Sequence, residues 1–450
     1  MATAAAGRRG VSAGAAGPAG ATGGRDGATG GRDGATGGPM ILDGCSVIPA
    51  TEPDLMIGDA AIAIENGRLT AVGPRREVLS RAGGSGATTI DLGGAYVIPG
   101  LWDSHIHLGA SVPPYEQEFA HELPGHHMIR CIRKMQDNLR CGITSLRSLG
   151  EENDADLILR DAVEAGEIEG PRIFASGDIM WTRSAAGVDE FRRRVRMAIA
   201  RGADQIKLLS SGGIPWRSDT IGHTLHSYEE IAAAAEEAHR WAKPLAVHAM
   251  GDETIIAAAK AGADTIEHGF VATEKGIAAM AGAGTMYCPN LTVTTAWDPV
   301  QLAARGYPEW FTANAAEAAA HHHEMFAEAV RLRIPILAGV DDLPEGAGPV
   351  GIEMHDDQLG LIAELKLMQA GGMTAGQALL TATRNAARAV RAQSALGTLE
   401  PGKHADLAVL AANPLDKLDH LAAISAVWKG GRPIRLTPGL EPGWRGGGIR

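Results

Sequence analysis

The chain is 450 residues long, 45% hydrophobic and 21% charged, which supplies ample apolar material for a large core. Its 53 acidic and 41 basic residues leave a formal charge of −12, which speaks against nucleic acid or an anionic membrane surface as its partner. No run approaches ~20 uninterrupted apolar residues, so a membrane-spanning helix is not expected.

Residues 1–39 are almost wholly Gly, Ala, Thr, Arg, Asp and Pro, with GATGGRD recurring every seven positions. Such a leader has too little apolar surface to offset the entropy of ordering it, so disorder is expected. It lacks the apolar stretch of a secretory signal, and Met40 is as good a start as Met1. Four cysteines without a CxxC pair (Cys45, Cys131, Cys141, Cys288) read as free thiols in a reducing compartment, the cytoplasm. From Met40 to about Pro99 the pattern is β throughout: Met40–Ile48, Ala60–Glu65, Arg68–Val72 and a strand near Thr89–Leu92. Asn66-Gly67 marks a hairpin. Downstream, Ala405–Leu410 and Ile424–Trp428 repeat the pattern. Residues 40–98 and 397–436 are therefore expected to build one small β-sandwich from both ends of the chain, with 437–450 as a tail.

Between them strand-length runs alternate with helical segments. The runs are Ala95–Leu101, Gly142–Leu146, Arg172–Ala175, Gln205–Leu209, Leu245–Ala249, Asp264–Glu267, Thr285–Cys288 and Pro335–Gly339. Helices are expected at Asp189–Arg201, Tyr228–Lys243 and Asp252–Ala261, the second opened by a capping box from Ser227 and Glu230. Eight strands with helices between them over residues 99–396 predict an α/β fold, a (β/α)8 barrel, whose chemistry sits at the carboxyl ends of the strands.

Those ends carry a distinctive set. The first run leads into His105 and His107, which share a face because side chains two apart in a strand point the same way. Lys207 ends the fourth run, His248 the fifth, His268 the sixth and Asp341 the eighth. A single strand-end histidine is more often a hydrogen-bonded core residue than a ligand. Six such residues at five strand ends point instead to one shared metal site.

The stretches PGLWDSHIHL, VHAMG, IEHG and AGVDD, with the strand bearing Lys207, resemble the amidohydrolase superfamily. ATRNAARAV and LGTLEPGKHADLAVL extend the likeness, which runs from about Met40 to Pro433. It is most similar to the imidazolonepropionase-related group that includes metal-dependent Xaa-Pro dipeptidases. The resemblance implies that His105, His107 and Asp341 hold one divalent metal and that His248 and His268 hold a second. Lys207 would bridge the two as an N6-carboxylated side chain. Physics agrees on the lysine: an ammonium ~4 Å from a divalent cation at an effective dielectric of ~20 is repelled by roughly 8 kcal/mol. Zinc is the default ion, and Mn, Co or Fe suit the same ligands. The implied reaction is hydrolysis of an amide-type C–N bond in a small molecule, with a metal-activated bridging hydroxide and Asp341 as general base and acid. The likeness also implies a homo-oligomer.

The sequence departs from that group in three places. Gly177–Gly187 lacks the usual GGHG segment, Ser148 follows Arg147 where Asp is usual, and Val340 stands where Thr is usual. The first departure keeps other substrates open: a urea, carbamate, lactam or ester, beside an Xaa-Pro dipeptide or N-acyl amino acid. Trp181, Arg183, Trp216, Arg217, His223, Tyr287 and Trp297 are the candidate pocket lining. His321–His323 read as a solvated helix face, and His121, His126 and His127 as residues of the loop or helix after the first strand. A nucleobase-type deaminase fits less well: it has no bridging lysine and needs a Glu closer to the fifth-strand His than Glu253 is to His248. A non-catalytic barrel would be expected to have lost ligands that are all present here.

Overall fold

The computed structural model describes residues 38–82, 86–109, 123–180, 185–217, 220–304, 306–341 and 357–434. The expected leader, apart from residues 38 and 39, and the tail lie outside these, as do His121, Trp181 and Arg183.

The N-terminal part supplies β1 (Met40–Val47), β2 (Ile57–Glu65), β3 (Arg68–Pro74), β4 (Thr88–Asp91) and β5 (Tyr96–Pro99). The middle supplies β6 (Leu101–Ile106), β7 (Ile143–Ser148), β8 (Arg172–Phe174), β9 (Ile206–Leu209), β10 (Leu245–Gly251), β11 (Thr265–Val271) and β12 (Met286–Cys288). The C-terminal part adds β13 (Leu407–Leu410), β14 (Ile424–Lys429) and β15 (Arg432–Pro433).

Both ends of the chain meet in a single eight-stranded mixed sheet, ordered β15-β14-β13-β5-β1-β2-β3 with β4 paired to β1. The β2–β3 hairpin turns on Asn66 and Gly67, with φ of 51° and 75°, the doubly positive geometry that matches strand twist. One face of the sheet buries Leu42, Ile62, Val97, Leu407 and Trp428 together; the other packs Ile41 and Ala63 against Val78 of the helix Arg75–Ala82.

The expected strand Ala95–Leu101 is corrected by the structure into two. Tyr96–Pro99 pairs with β1 and β13, whereas Leu101 begins β6 beside β7. Gly100 is the joint. A Cβ there would lie 2.0 Å from Thr144 Oγ1, so a side chain would force the two sheets apart.

In the middle, β6-β7-β8 and β9-β10-β11-β12 form two parallel sheets. Isolated backbone bridges and hydrogen bonds, rather than full ladders, cross the gaps beside them. Met180 N–H donates to Lys207 O at 3.1 Å, and Tyr287 N–H to Pro335 O at 2.9 Å. Ser104 N–H donates to Ala338 O at 2.9 Å, and Asp341 N–H to His105 O at 2.8 Å. The run Pro335–Gly339 thus contributes an isolated bridge (Tyr287 to Ile336) rather than a full ladder strand. Ile106, Leu146, Val247, Ile266 and Ala338 share one large apolar core.

Helices Val188–Ala200, Tyr228–Arg240 and Asp252–Ala261 lie where the sequence places them. The second opens on the expected capping box, with Ser227 Oγ accepting from Glu230 N and Glu230 Oε2 accepting from Ser227 N. It stops short of Lys243 because Ala242 turns to φ 56°. Among the described residues no helix is long and apolar enough to cross a membrane, and all four cysteines are free.

Candidate metal centre

The six side chains singled out from the sequence come from β6 and the residue after it, from within β9, β10 and β11, and from the segment after Gly339, and the structure brings them together. His105 Nε2 lies 3.4 Å from both Asp341 Oδ1 and Lys207 Nζ, and His107 Nε2 lies 3.5 Å from the same Asp341 oxygen. His268 Nδ1 is 3.7 Å from Asp341 Oδ2. Ring centroids of His105 and His107, His105 and His268, and His248 and His268 are 5.5, 4.8 and 4.5 Å apart.

Backbone geometry concentrates strain here. His268 and Asp341 hold φ of 77° and 53°, left-handed values that non-glycine residues keep only where their surroundings enforce them. Gly339 makes room between His105 and Cys288, since a Cβ would meet His105 Cβ at 2.6 Å and Cys288 Sγ at 2.7 Å. Tyr287, expected in the pocket lining, is instead fully buried beneath the centre. Its hydroxyl donates to the His268 carbonyl at 2.7 Å and accepts from His322 Nε2 at 3.2 Å. His322 therefore departs from the expected solvated face: it is fully buried, while His321 is exposed.

Electrostatics favour neutral imidazoles. Burial, reinforced by the Lys207 charge, pushes His107 down to about 4 and His248 to about 3. Burial also holds His105 and His268 well below the ordinary histidine value, the latter with further help from His248. Lys207, 2% exposed, is pushed down to about 8 by burial, against the opposing pull of Glu267 and Asp341.

The outer nitrogen of three rings is committed to an acceptor. His107 Nδ1 donates to Gly150 O at 2.8 Å, His248 Nε2 to Gly212 O at 3.1 Å, and His105 Nδ1 to Glu267 Oε2 at 3.0 Å. Their other nitrogens keep the lone pair that a metal needs. His268 Nδ1 is buried without a hydrogen-bond partner. Together with Asp341, whose carboxylate meets His105 and His107 within 4.8 Å, this donor set fits a divalent cation.

The histidine-to-Glu267 link was not read from the sequence. Neighbours in a regular strand point to opposite faces. The positive φ at 268 breaks that alternation, so Glu267 and His268 both reach His105. The only sequence signal for Glu267 is its place in IEHG.

A second potential cluster, His127, Cys131 and Glu151, is already occupied by protein contacts. The Glu151 carboxylate accepts the N–H groups of Leu108 and Gly109, and Arg130 donates to His127 Nδ1 at 3.2 Å. It clamps the backbone that follows His107.

Of the pocket candidates, Trp216 stands against the centre: its half-buried ring is edge-on to His248 at 5.6 Å. Arg217 is exposed. His223 is also exposed and lines an open cavity of about 650 Å³ with His226 and Glu253. Trp297 is half-buried against Phe311, with ring centroids 5.3 Å apart.

Comparison with known proteins gives consistent neighbours. A model of the amidohydrolase family matches residues 96–436. Ochratoxinase from Aspergillus niger is 30% identical over 77% of this chain and 77% of its own. Its crystal structure superposes with a TM-score of 0.77 at 27% identity, covering 90% of this chain and 96% of that one. A Xaa-Pro dipeptidase with methionine bound in its active site superposes with a TM-score of 0.79 at 25% identity, covering 88% of this chain and all of that one.

Proposed function

Because the chain belongs to the amidohydrolase family, with the TIM-barrel-like α/β fold and the carbon–nitrogen hydrolase activity that its neighbours share, we propose that it cleaves an amide bond in a small molecule at a two-metal centre. The ligands in this reading are His105, His107, Lys207, His248, His268 and Asp341, with zinc as the default ion. The observation that carries it is the convergence of His105 Nε2, His107 Nε2 and Asp341 Oδ1 beside the Lys207 amine. Bound there, divalent ions would acidify a water and polarise the scissile carbonyl.

The protein's own groups divide the remaining work. Asp341, 14% exposed at its side chain, takes the proton released as water attacks and returns it to the departing nitrogen. The neutral imidazoles keep their lone pairs, and their committed outer nitrogens fix the rings. The neutral form of the Lys207 amine, which burial favours, adds through its nitrogen lone pair to carbon dioxide and loses one proton, giving a two-oxygen anion. Trp216 offers an apolar wall to one side of the substrate.

The same reading takes residues 99–396 as a closed (β/α)8 barrel with Pro335–Gly339 as its eighth strand, supported by the Ser104–Ala338 and Tyr287–Pro335 hydrogen bonds. It also takes residues 40–98 and 397–436 as the small sandwich, supported by the Leu42–Val97–Trp428 cluster on one face of the shared sheet. Four free thiols support a cytoplasmic location, and the family resemblance a homo-oligomer.

The Xaa-Pro dipeptidase neighbour supports an amide of the dipeptide kind, and an N-acyl amino acid presents the same type of bond. The absent GGHG segment favours, as a second reading, a urea, carbamate, lactam or ester. A hydrolysis screen over Xaa-Pro dipeptides, N-acyl amino acids, aryl ureas and carbamates, with metal measured on the same preparation, tests both. Amine release with near two metal equivalents is expected; protein that binds no metal ends the proposal.

A further inference from the structure

Arg147, Thr265 and Glu267 form a polar cluster, each 1% exposed or less, that lies beside the proposed chemistry without entering it. Arg147 Nη2 donates to Glu267 Oε1 and Oε2 at 2.9 and 2.8 Å. Its Nη1 donates to Thr265 Oγ1 at 3.0 Å, and its Nε to the Ser104 carbonyl. With its oxygen so engaged, the Thr265 hydroxyl donates its own proton to Glu267 Oε1 at 2.5 Å. His105 Nδ1, 3.0 Å from Oε2, completes the set.

This arrangement leaves one protonation pattern for His105. A carboxylate gripped by a guanidinium is an acceptor only. The nitrogen facing it, Nδ1, must therefore carry the hydrogen, and Nε2 the lone pair. That lone pair faces Lys207 Nζ and Asp341 Oδ1.

We infer that Glu267, locked by Arg147, is a positioning residue that fixes the Nδ1–H tautomer of His105 and aims its Nε2 at the metal centre. The same geometry chooses between two candidate ligand groups. His105, Glu267 and Cys288 also gather within 4.8 Å. A cation in that group would share the Glu267 carboxylate with the Arg147 guanidinium, so the metal side of His105 is the Asp341 side.

The affinity part of the inference rests on the proposed metal centre; the tautomer part does not. The first test is nitrogen NMR of the metal-stripped full chain carrying ¹⁵N-histidine, with His105 assigned by loss of its signals in His105→Gln. The native chain is expected to show His105 protonated at Nδ1, and Glu267→Gln to show a mixture of tautomers. In chelator competition with zinc, Glu267→Gln is expected to raise the dissociation constant about 10–100-fold. Glu267→Asp, which keeps the charge on Arg147 but withdraws the oxygen from His105, serves if the Gln variant does not fold and is expected to behave alike. A lower melting temperature with the His105 tautomer and zinc affinity unchanged overturns the inference and leaves Glu267 a structural residue. If the native chain binds no zinc, the functional proposal falls while the NMR still judges the tautomer.

Discussion

His268 Nδ1 lies 3.7 Å from Asp341 Oδ2, and both residues hold the left-handed backbone conformation. Each non-glycine residue in that region costs ~1–3 kcal/mol, which the surrounding structure must offset. Replacing Asp341 with Gly relieves the strain at 341 but adds backbone entropy to the unfolded chain, and the two effects nearly cancel. Asp341→Gly is therefore expected to stay within about 1 kcal/mol of the native stability while turnover falls by about 10²-fold or more. Calorimetry and steady-state kinetics on the same preparation decide it; a variant that keeps its turnover removes Asp341 from the proton path.

Lys207→Ala is expected to abolish turnover and to lower metal content. Burial of the native amine, which pushes its value down to about 8, leaves far more of it neutral near pH ~7.5 than in an ordinary exposed lysine. Metal-free enzyme reloaded in carbon-dioxide-free buffer should regain activity slowly, and added bicarbonate should speed recovery. Equal recovery with and without bicarbonate refutes the carbamate.

Burial holds His322 neutral, with its value pushed down to about 3. The unfolded chain protonates the same residue near 6.5. The stability it contributes is thus fully present above pH 6.5 and is lost as the pH falls toward 3. His322→Gln can still donate to the Tyr287 hydroxyl but takes up no proton on unfolding. Its melting temperature should fall less steeply than the native one between pH 6.5 and 4.5. Parallel curves count against it.

Trp216→Ala removes the apolar wall beside His248. For substrates with an aromatic or branched group next to the cleaved bond, KM should rise about tenfold with kcat little changed, as expected for uniform binding lost at one aromatic contact. A fall confined to kcat would place the ring in the chemistry instead.

What the sequence discloses depends on whether the signal is local. The Asn66-Gly67 hairpin and the Ser227/Glu230 capping box are written in adjacent residues and form as read. The gathering of His105, His107, Lys207, His248, His268 and Asp341 was legible because parallel strands align their carboxyl ends. The break at Gly100 was not, because it is set by pairing with strands distant in the chain, β1 and β13 on one side of it and β7 on the other. The same holds for His322, whose three-histidine run gives no hint that one ring turns inward to Tyr287. Glu267 stayed hidden because strand periodicity assigns it to the face opposite His268.

The pairing of Leu407 with Pro99 carries a consequence for synthesis on the ribosome. The strand that leads into His105 must wait for nearly the whole chain to emerge before its neighbour exists. Until then β5 presents a bare row of amide and carbonyl groups on one side, a template for any passing strand. A message cut short before Leu407 would yield every proposed metal ligand and still give a product prone to clump.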